Sequence, residues 1–234
     1  MTTTVAAVCR RRFLLGLVGS MVAGSALARG AHAATLSRRA ASLGPLINIP
    51  QTYNNCGPAA VAEVLAYWGI SQTQGQAQAV LRVDGPVVGM TFYGVPSYAR
   101  TLGLRTLIGV GGSETLVKML IANRFPVIAH QVISLADYTG HWRPVQAYDD
   151  SQGVFVTSDP YLGPNYRLSY STFAQLWAQR DYAFIILYPA SRQAALNATL
   201  SAAGWNKAAA FRQDLALLQA GQLDASPAAA PAAT

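Results

Sequence analysis

The spacing of apolar positions changes character near residue 126. Upstream it is helical. Val61, Val64, Leu65 and Trp68 fall at i, i+3, i+4 and i+7, Pro58 suits a first turn and Gly69 can end the run, so a core helix follows Cys56. A polar, Gln-rich stretch over 71–78 runs into Val80 and Leu81 and reads as a second, weaker helix. Gly85-Pro86 and Gly94 punctuate a loop before a short helix around 96–102, and Ser113 caps a helix carrying Leu116, Val117, Leu120 and Ile121 that stops near Phe125-Pro126. Downstream the runs are short and β-rich. Segments 127–133, 141–148, 154–157 and 183–188 read as strands, with the Asp149 to Gly153 segment as the hairpin turn between the second and third. Pro144 removes a ladder donor from its strand and predicts an edge or a bulge there. Ser171 can cap a helix bearing Phe173, Leu176 and Trp177. Helices first and a mostly antiparallel sheet after them predict an α+β domain of about 140 residues.

After Pro189, segments 194–203 and 207–220 read as two helices joined at Gly204-Trp205, a helical hairpin expected to pack on the main domain. Residues from 222 onward form an Ala/Pro tail expected to be disordered. At the other end, a basic start, an apolar stretch from Phe13 to Leu27 and the small-x-small site Ala31-His32-Ala33 read as an export signal over 1–33, followed by a linker over 34–47. That apolar run is too short to span a bilayer comfortably, so no stable membrane span is expected once the signal is removed. The run Arg10-Arg11-Arg12-Phe13-Leu14 resembles the twin-arginine consensus, which implies export of a folded protein to a periplasmic or extracellular destination.

Composition excludes several classes. With 52% hydrophobic and 12% charged residues, the chain is neither a disordered tail nor a disulfide-dense scaffold. Its formal charge of +7 invites a nucleic-acid reading, but four of the 17 basic residues lie in the signal. The remaining 13 against 10 acids leave +3 without a basic run beyond Arg38-Arg39, so no nucleic-acid partner is expected.

Signal removal also takes Cys9 and leaves Cys56 as an unpaired thiol in an oxidising compartment, where it must be buried or used. Cys56 stands at the start of the apolar helix, where unpaired amides and the helix dipole favour a thiolate. Such a nucleophile needs a base from another element and a third group to orient it. The mature chain has two histidines, His130 and His141. His141 opens one predicted strand and Asp159 closes the next, so a hairpin can make them neighbours; His130 lies mid-strand without an acid nearby.

Gln51, Cys56-Gly57-Pro58-Ala59-Ala60, Gly140-His141-Trp142, Tyr148-Asp149-Asp150, Asp159-Pro160 and the helix of Phe173 and Trp177 occur in that order. Together they resemble the peptidase-family-39-like domain of the papain-like cysteine peptidases, related to the leader peptidases of bacteriocin exporters, over roughly residues 46–189. The resemblance implies a papain-like fold over 48–189, with the helical hairpin at 190–221 added to it. It also implies Cys56 as nucleophile, His141 as general base and acid, Asp159 as its orienter and Gln51 as an oxyanion donor beside the Cys56 amide. The implied chemistry is acyl-enzyme hydrolysis of a peptide or protein substrate without metal or organic cofactor. Two alternatives stay open: a transpeptidase like the phytochelatin synthases, and a papain-like domain that binds a peptide without chemistry.

Overall fold

A computed structural model describes residues 38–82 and 89–219; the predicted signal over 1–33 and the Ala/Pro tail lie outside the described residues. Three helices follow the short strand β1 (Ala40–Ser42): α1 (Cys56–Tyr67), α2 (Gln74–Leu81) and α3 (Val95–Thr101). A fourth, α4 (Glu114–Ala122), follows β2 (Leu104–Gly109). The β-rich half holds β3 (Val127–Ser134), β4 (Asp137–Asp149), β5 (Val154–Asp159), β6 (Gly163–Ser169), α5 (Tyr170–Ala178) and β7 (Phe184–Pro189). A 3-10 turn then leads into α6 (Gln193–Ala202) and α7 (Lys207–Gln219). The described strands form one antiparallel sheet in the order β2-β7-β3-β4-β5-β6, and β1 (Ala40–Ser42) pairs with the end of β4.

The sheet has helices on both faces, and its alternation shows why. In β7, Ile185 and Leu187 join α1, α2 and α3 in one core, whereas Phe184, Ile186 and Tyr188 join α4, α5 and Leu196 of α6 in the other. β3 divides in the same way, with Ile128 on the first side and Val127 and Ala129 on the second. A strand buried on both faces reads as a continuous apolar run, and these two do. The helix α1 is buried all round from Cys56 to Leu65, as expected of a helix laid across a sheet under two further helices.

Several boundaries differ from the sequence reading. The linker expected at 34–47 contributes β1 over 40–42, and Leu43 and Leu46 are buried. Ser169, and not Ser171, caps α5, its hydroxyl accepting the Thr172 N–H at 3.0 Å; Ser171 lies one residue inside the helix. Pro144 stands in a central strand, paired in register with Ile128, so it is at no edge. The bulge comes two residues later, between Val145 and Ala147. There the Gln146 carbonyl accepts the Leu43 N–H at 2.9 Å and its Oε1 accepts the Leu46 N–H at 2.9 Å, docking the segment after β1 on β4. In the C-terminal helical segment Leu196 of α6 is core, and Trp205 Nε1 donates to the Val110 carbonyl at 2.9 Å.

Candidate active site

Cys56 is the first residue of α1 and the free thiol of the described chain; it is buried. The residue before it, Asn55, is of a type that ordinarily caps a helix by accepting an amide from the first turn, yet it makes no capping bond. Its Nδ2 donates to Thr52 Oγ1 and to Gln78 Oε1, both at 2.6 Å, and its Oδ1 accepts from Arg82 Nη1 at 2.7 Å. A cap is worth about 1 kcal/mol to a helix. Leaving it unmade leaves the first amides of α1, which have no intrahelical partner, without a side-chain cap at the Cys56 end of the helix.

The loop that presents Cys56 is built from both ends. Asn54 takes a left-handed φ of 56°, and the Asn55 N–H closes a turn onto the Thr52 carbonyl at 3.0 Å. From α2, Gln74 holds the loop's entrance: Oε1 accepts the Thr52 N–H at 2.9 Å and Nε2 donates to the Pro50 carbonyl at 2.8 Å. The Gln-rich composition of this weak helix therefore has a local cause, since Gln74 both donates to and accepts from the loop and Gln78 accepts from it. Gln51 lies at the entrance, its N–H donating to the Pro160 carbonyl at 2.8 Å. Its side-chain oxygen is buried without a hydrogen-bond partner among the described residues.

His141 and Asp159 come from neighbouring antiparallel strands, β4 and β5, and meet across the sheet. His141 Nε2 donates to Asp159 Oδ1 at 2.9 Å, with both side chains buried. With Nε2 bonded to Asp159, Nδ1 is the ring nitrogen left to interact with the nearby Cys56 thiol. Burial alone would lower the His141 pKa, but the hydrogen bonds and charges of Asp159 and Cys56 outweigh it and leave the pKa raised. Asp159 is pulled the opposite way. Burial would raise its carboxyl, yet the His141 bond and charge together with the Arg143 guanidinium hold it well below the usual carboxylate range. Oδ1 also accepts the N–H groups of Tyr161 at 2.8 Å and Leu162 at 2.9 Å, a local turn that fixes the carboxylate plane.

The structure thus brings Cys56, His141 and Asp159 together and sets Gln51 beside the turn that follows Asp159. It separates His130, which stacks on Trp142 at 4.2 Å with 14° between planes and meets the edge of Phe92. Burial, Arg180 and His141 push the His130 pKa down to about 3, so this imidazole is neutral.

Sequence reasoning missed two buried partners. Arg143 has no exposed surface; its Nε donates to Asp159 Oδ2, its Nη1 to Gln131 Oε1, and Gln131 Nε2 to the Phe173 carbonyl at 2.9 Å. Arg143 is two residues from His141 in a strand, so both side chains share a face. That period was the available signal. Glu63, seven residues from Cys56 on an otherwise apolar helix, is also fully buried. Burial raises its pKa to about 8, so it is an uncharged acid at neutral pH. Among the described residues no group of three or more His, Cys, Asp or Glu side chains is arranged to hold a metal ion, and no helix is long and apolar enough to cross a membrane.

A buried thiol at a helix start, joined to an imidazole and a carboxylate from an antiparallel sheet, defines the papain-like architecture of cysteine peptidases. The chain belongs to the Peptidase_C39 like family, whose model matches residues 44–184. Similar solved structures include the peptidase domain of Streptococcus ComA, a bi-functional ABC transporter involved in quorum sensing. It is 23% identical with a TM-score of 0.50 over 61% of this chain and 97% of that one. A double glycine motif protease from an AMS/PCAT transporter, solved in complex with the leader peptide, is 19% identical with a TM-score of 0.50 over 64% and 94%. A protein from Bacillus anthracis described as a C39-like peptidase is 16% identical with a TM-score of 0.52 over 63% and 96%. No curated protein matches the chain.

Proposed function

We propose that this protein is an exported thiol peptidase in which Cys56 forms an acyl-enzyme with a peptide or protein substrate. The observation that carries the reading is the buried His141 Nε2 to Asp159 Oδ1 bond at 2.9 Å, with the Cys56 thiol near enough to help raise the imidazole pKa. His141, its pKa raised by Asp159 and Cys56 against the effect of burial, takes the Cys56 proton, which gives the attacking thiolate and an imidazolium. Sulfur attacks the scissile carbonyl, and the oxygen's developing charge meets the Cys56 amide and the Gln51 side-chain amide. The imidazolium Nδ1–H protonates the departing amine as the carbon–nitrogen bond breaks, which leaves a thioester on Cys56 and a neutral His141. His141 then takes a proton from water, hydroxide oxygen adds to the thioester, and thiolate leaves as the acid product departs. Asp159, ionised throughout, orients the ring and stabilises its charged form.

A peptide substrate is supported by family membership and by the leader peptide held in the transporter protease of similar fold. Export is supported by the signal-like composition of residues 1–33. The test is intact-protein mass spectrometry of the parent and of Cys56→Ala after quenching with a mixed peptide pool. The parent is expected to carry an acyl adduct on Cys56 and to release cleaved peptides, and Cys56→Ala to do neither. A persistent adduct passed to added amines would indicate a transferase, and an unmodified parent with intact peptides a binding domain.

A further inference from the structure

Behind the candidate active site lies a polar knot in which the half-buried Asn48 joins the buried Glu63 and Ser158. Glu63 Oε1 accepts the Ile49 N–H at 2.8 Å and Asn48 Nδ2 at 3.5 Å. The same Asn48 amide donates to Ser158 Oγ and to the Asp159 carbonyl, both at 3.1 Å. The second Glu63 oxygen is buried without a hydrogen-bond partner among the described residues. Three segments meet at this knot: Asn48 and Ile49 lead into Gln51, Glu63 is two turns along α1 from Cys56, and Ser158-Asp159 ends β5. Each carries one member of the proposed machinery. Apolar packing holds α1 on the sheet, and the knot adds directional hydrogen bonds that tie the helix to Asn48 and Ile49 and, through Asn48, to Ser158 and Asp159.

A buried carboxyl on an apolar helix is costly, and an apolar residue would fill the same place without that cost. We propose that Glu63 is a positioning residue, which with Asn48 sets the register of the Cys56 helix against both the Asp159 strand and the Gln51 segment. The proposal rests on the thiol-peptidase reading above. It requires an acceptor at Glu63 Oε1, not a charge. The ionisable groups that face Glu63 are Asp159 from β5 and His141 from β4, and the uncharged form of Glu63 avoids adding a second anion beside Asp159.

The experiment compares Glu63→Gln, Glu63→Ala and Asn48→Ala in the full chain, read by the rate of Cys56 alkylation with iodoacetamide across pH 5 to 9 and by thermal melting. Glu63→Gln keeps the acceptor and is expected to alkylate within about threefold of the parent at every pH below 8. Asn48→Ala and Glu63→Ala are expected to lose about tenfold in alkylation rate at pH 6, because the imidazolium no longer sits squarely against sulfur. A folded Asn48→Ala or Glu63→Ala with the parent's profile and only a lower melting temperature would overturn the proposal, since a purely structural role moves stability alone. If Glu63→Ala fails to fold, Asn48→Ala decides on the same criterion. The parent's profile separates the two readings. A parent that alkylates at pH 6 but cleaves no peptide defeats the peptidase and leaves the knot to be judged by its variants. Unchanged variants of a cleaving parent defeat the knot alone. A parent with an ordinary alkaline thiol profile overturns both.

Discussion

Asp159→Asn should cost stability as well as activity, because Asp159 is the counter-ion of a guanidinium with no exposed surface. In the parent the carboxylate accepts from His141, the Tyr161 and Leu162 amides and Arg143. An asparagine has one oxygen, so whichever way it turns, its NH2 faces a donor: the Arg143 Nε on one side, or the ring and two amides on the other. Arg143 would keep its Gln131 bond and lose its charge partner. Removing one member of a buried ion pair costs about 3–5 kcal/mol, which for a domain of this size lowers the melting temperature by roughly 6–20 °C. Arg143→Met should cost less, since two backbone amides and His141 still solvate the carboxylate. The double variant removes both charges, so its loss should fall short of the sum of the singles by about 2–3 kcal/mol. Urea unfolding of the four proteins at pH 7 measures the cycle. An Asp159→Asn protein within about 1 kcal/mol of the parent, or strictly additive losses, would refute the view that these two side chains compensate each other's burial.

Cys56→Ala should lose at least about 10³-fold in turnover while melting cooperatively, as measured by peptide cleavage and calorimetry, because it removes the proposed nucleophile and little packing. Glu63→Gln should be more stable than the parent above pH 5. A carboxyl raised from 4.5 to about 8 contributes fully to stability below 4.5 and loses that contribution as pH rises to 8, so the gap should widen by about 1.4 kcal/mol per pH unit across that window. His130 has the opposite acid behaviour: its lowered pKa favours the neutral ring, so His130→Phe should remove a stability loss that the parent shows as pH falls from 6.5 toward 3. Gly57→Ala should slow Cys56 alkylation and lower the melting temperature, because a Cβ there would lie 2.5 Å from Met90 Cβ and push the first turn of α1. Arg10→Lys with Arg11→Lys should stop export, as shown by cell fractionation; normal periplasmic protein would rule out the twin-arginine route.

Elements with strong internal periodicity were legible from sequence: α1, α4, β3 and β7 bury apolar residues at helical or strand spacing. Elements that depend on a neighbour were not. β1 is three residues long and exists by pairing with β4, and β6, with Pro164 and mostly exposed positions, is an edge strand whose composition reads as loop. β4 begins at Asp137, before the apolar run, because polar Tyr138 and Thr139 are carried along by the hairpin with β3. For the site, residue types and chain order pointed to Cys56, His141 and Asp159. The second layer was hidden, since Arg143 and Glu63 are charged types that look like surface until the strand and helix periods place them beside His141 and Cys56.

The proposed mechanism pairs His141, and not His130, with the Cys56 thiol. The pH dependence of iodoacetamide alkylation of Cys56 in the parent, His141→Ala and His130→Ala distinguishes the two histidines. Loss of the imidazolium should move the alkylation midpoint of His141→Ala toward the ordinary thiol value of about 8.5, while His130→Ala keeps the parent's midpoint and changes only in stability. A shifted midpoint in His130→Ala with none in His141→Ala would contradict the assignment and remove the role given to Asp159.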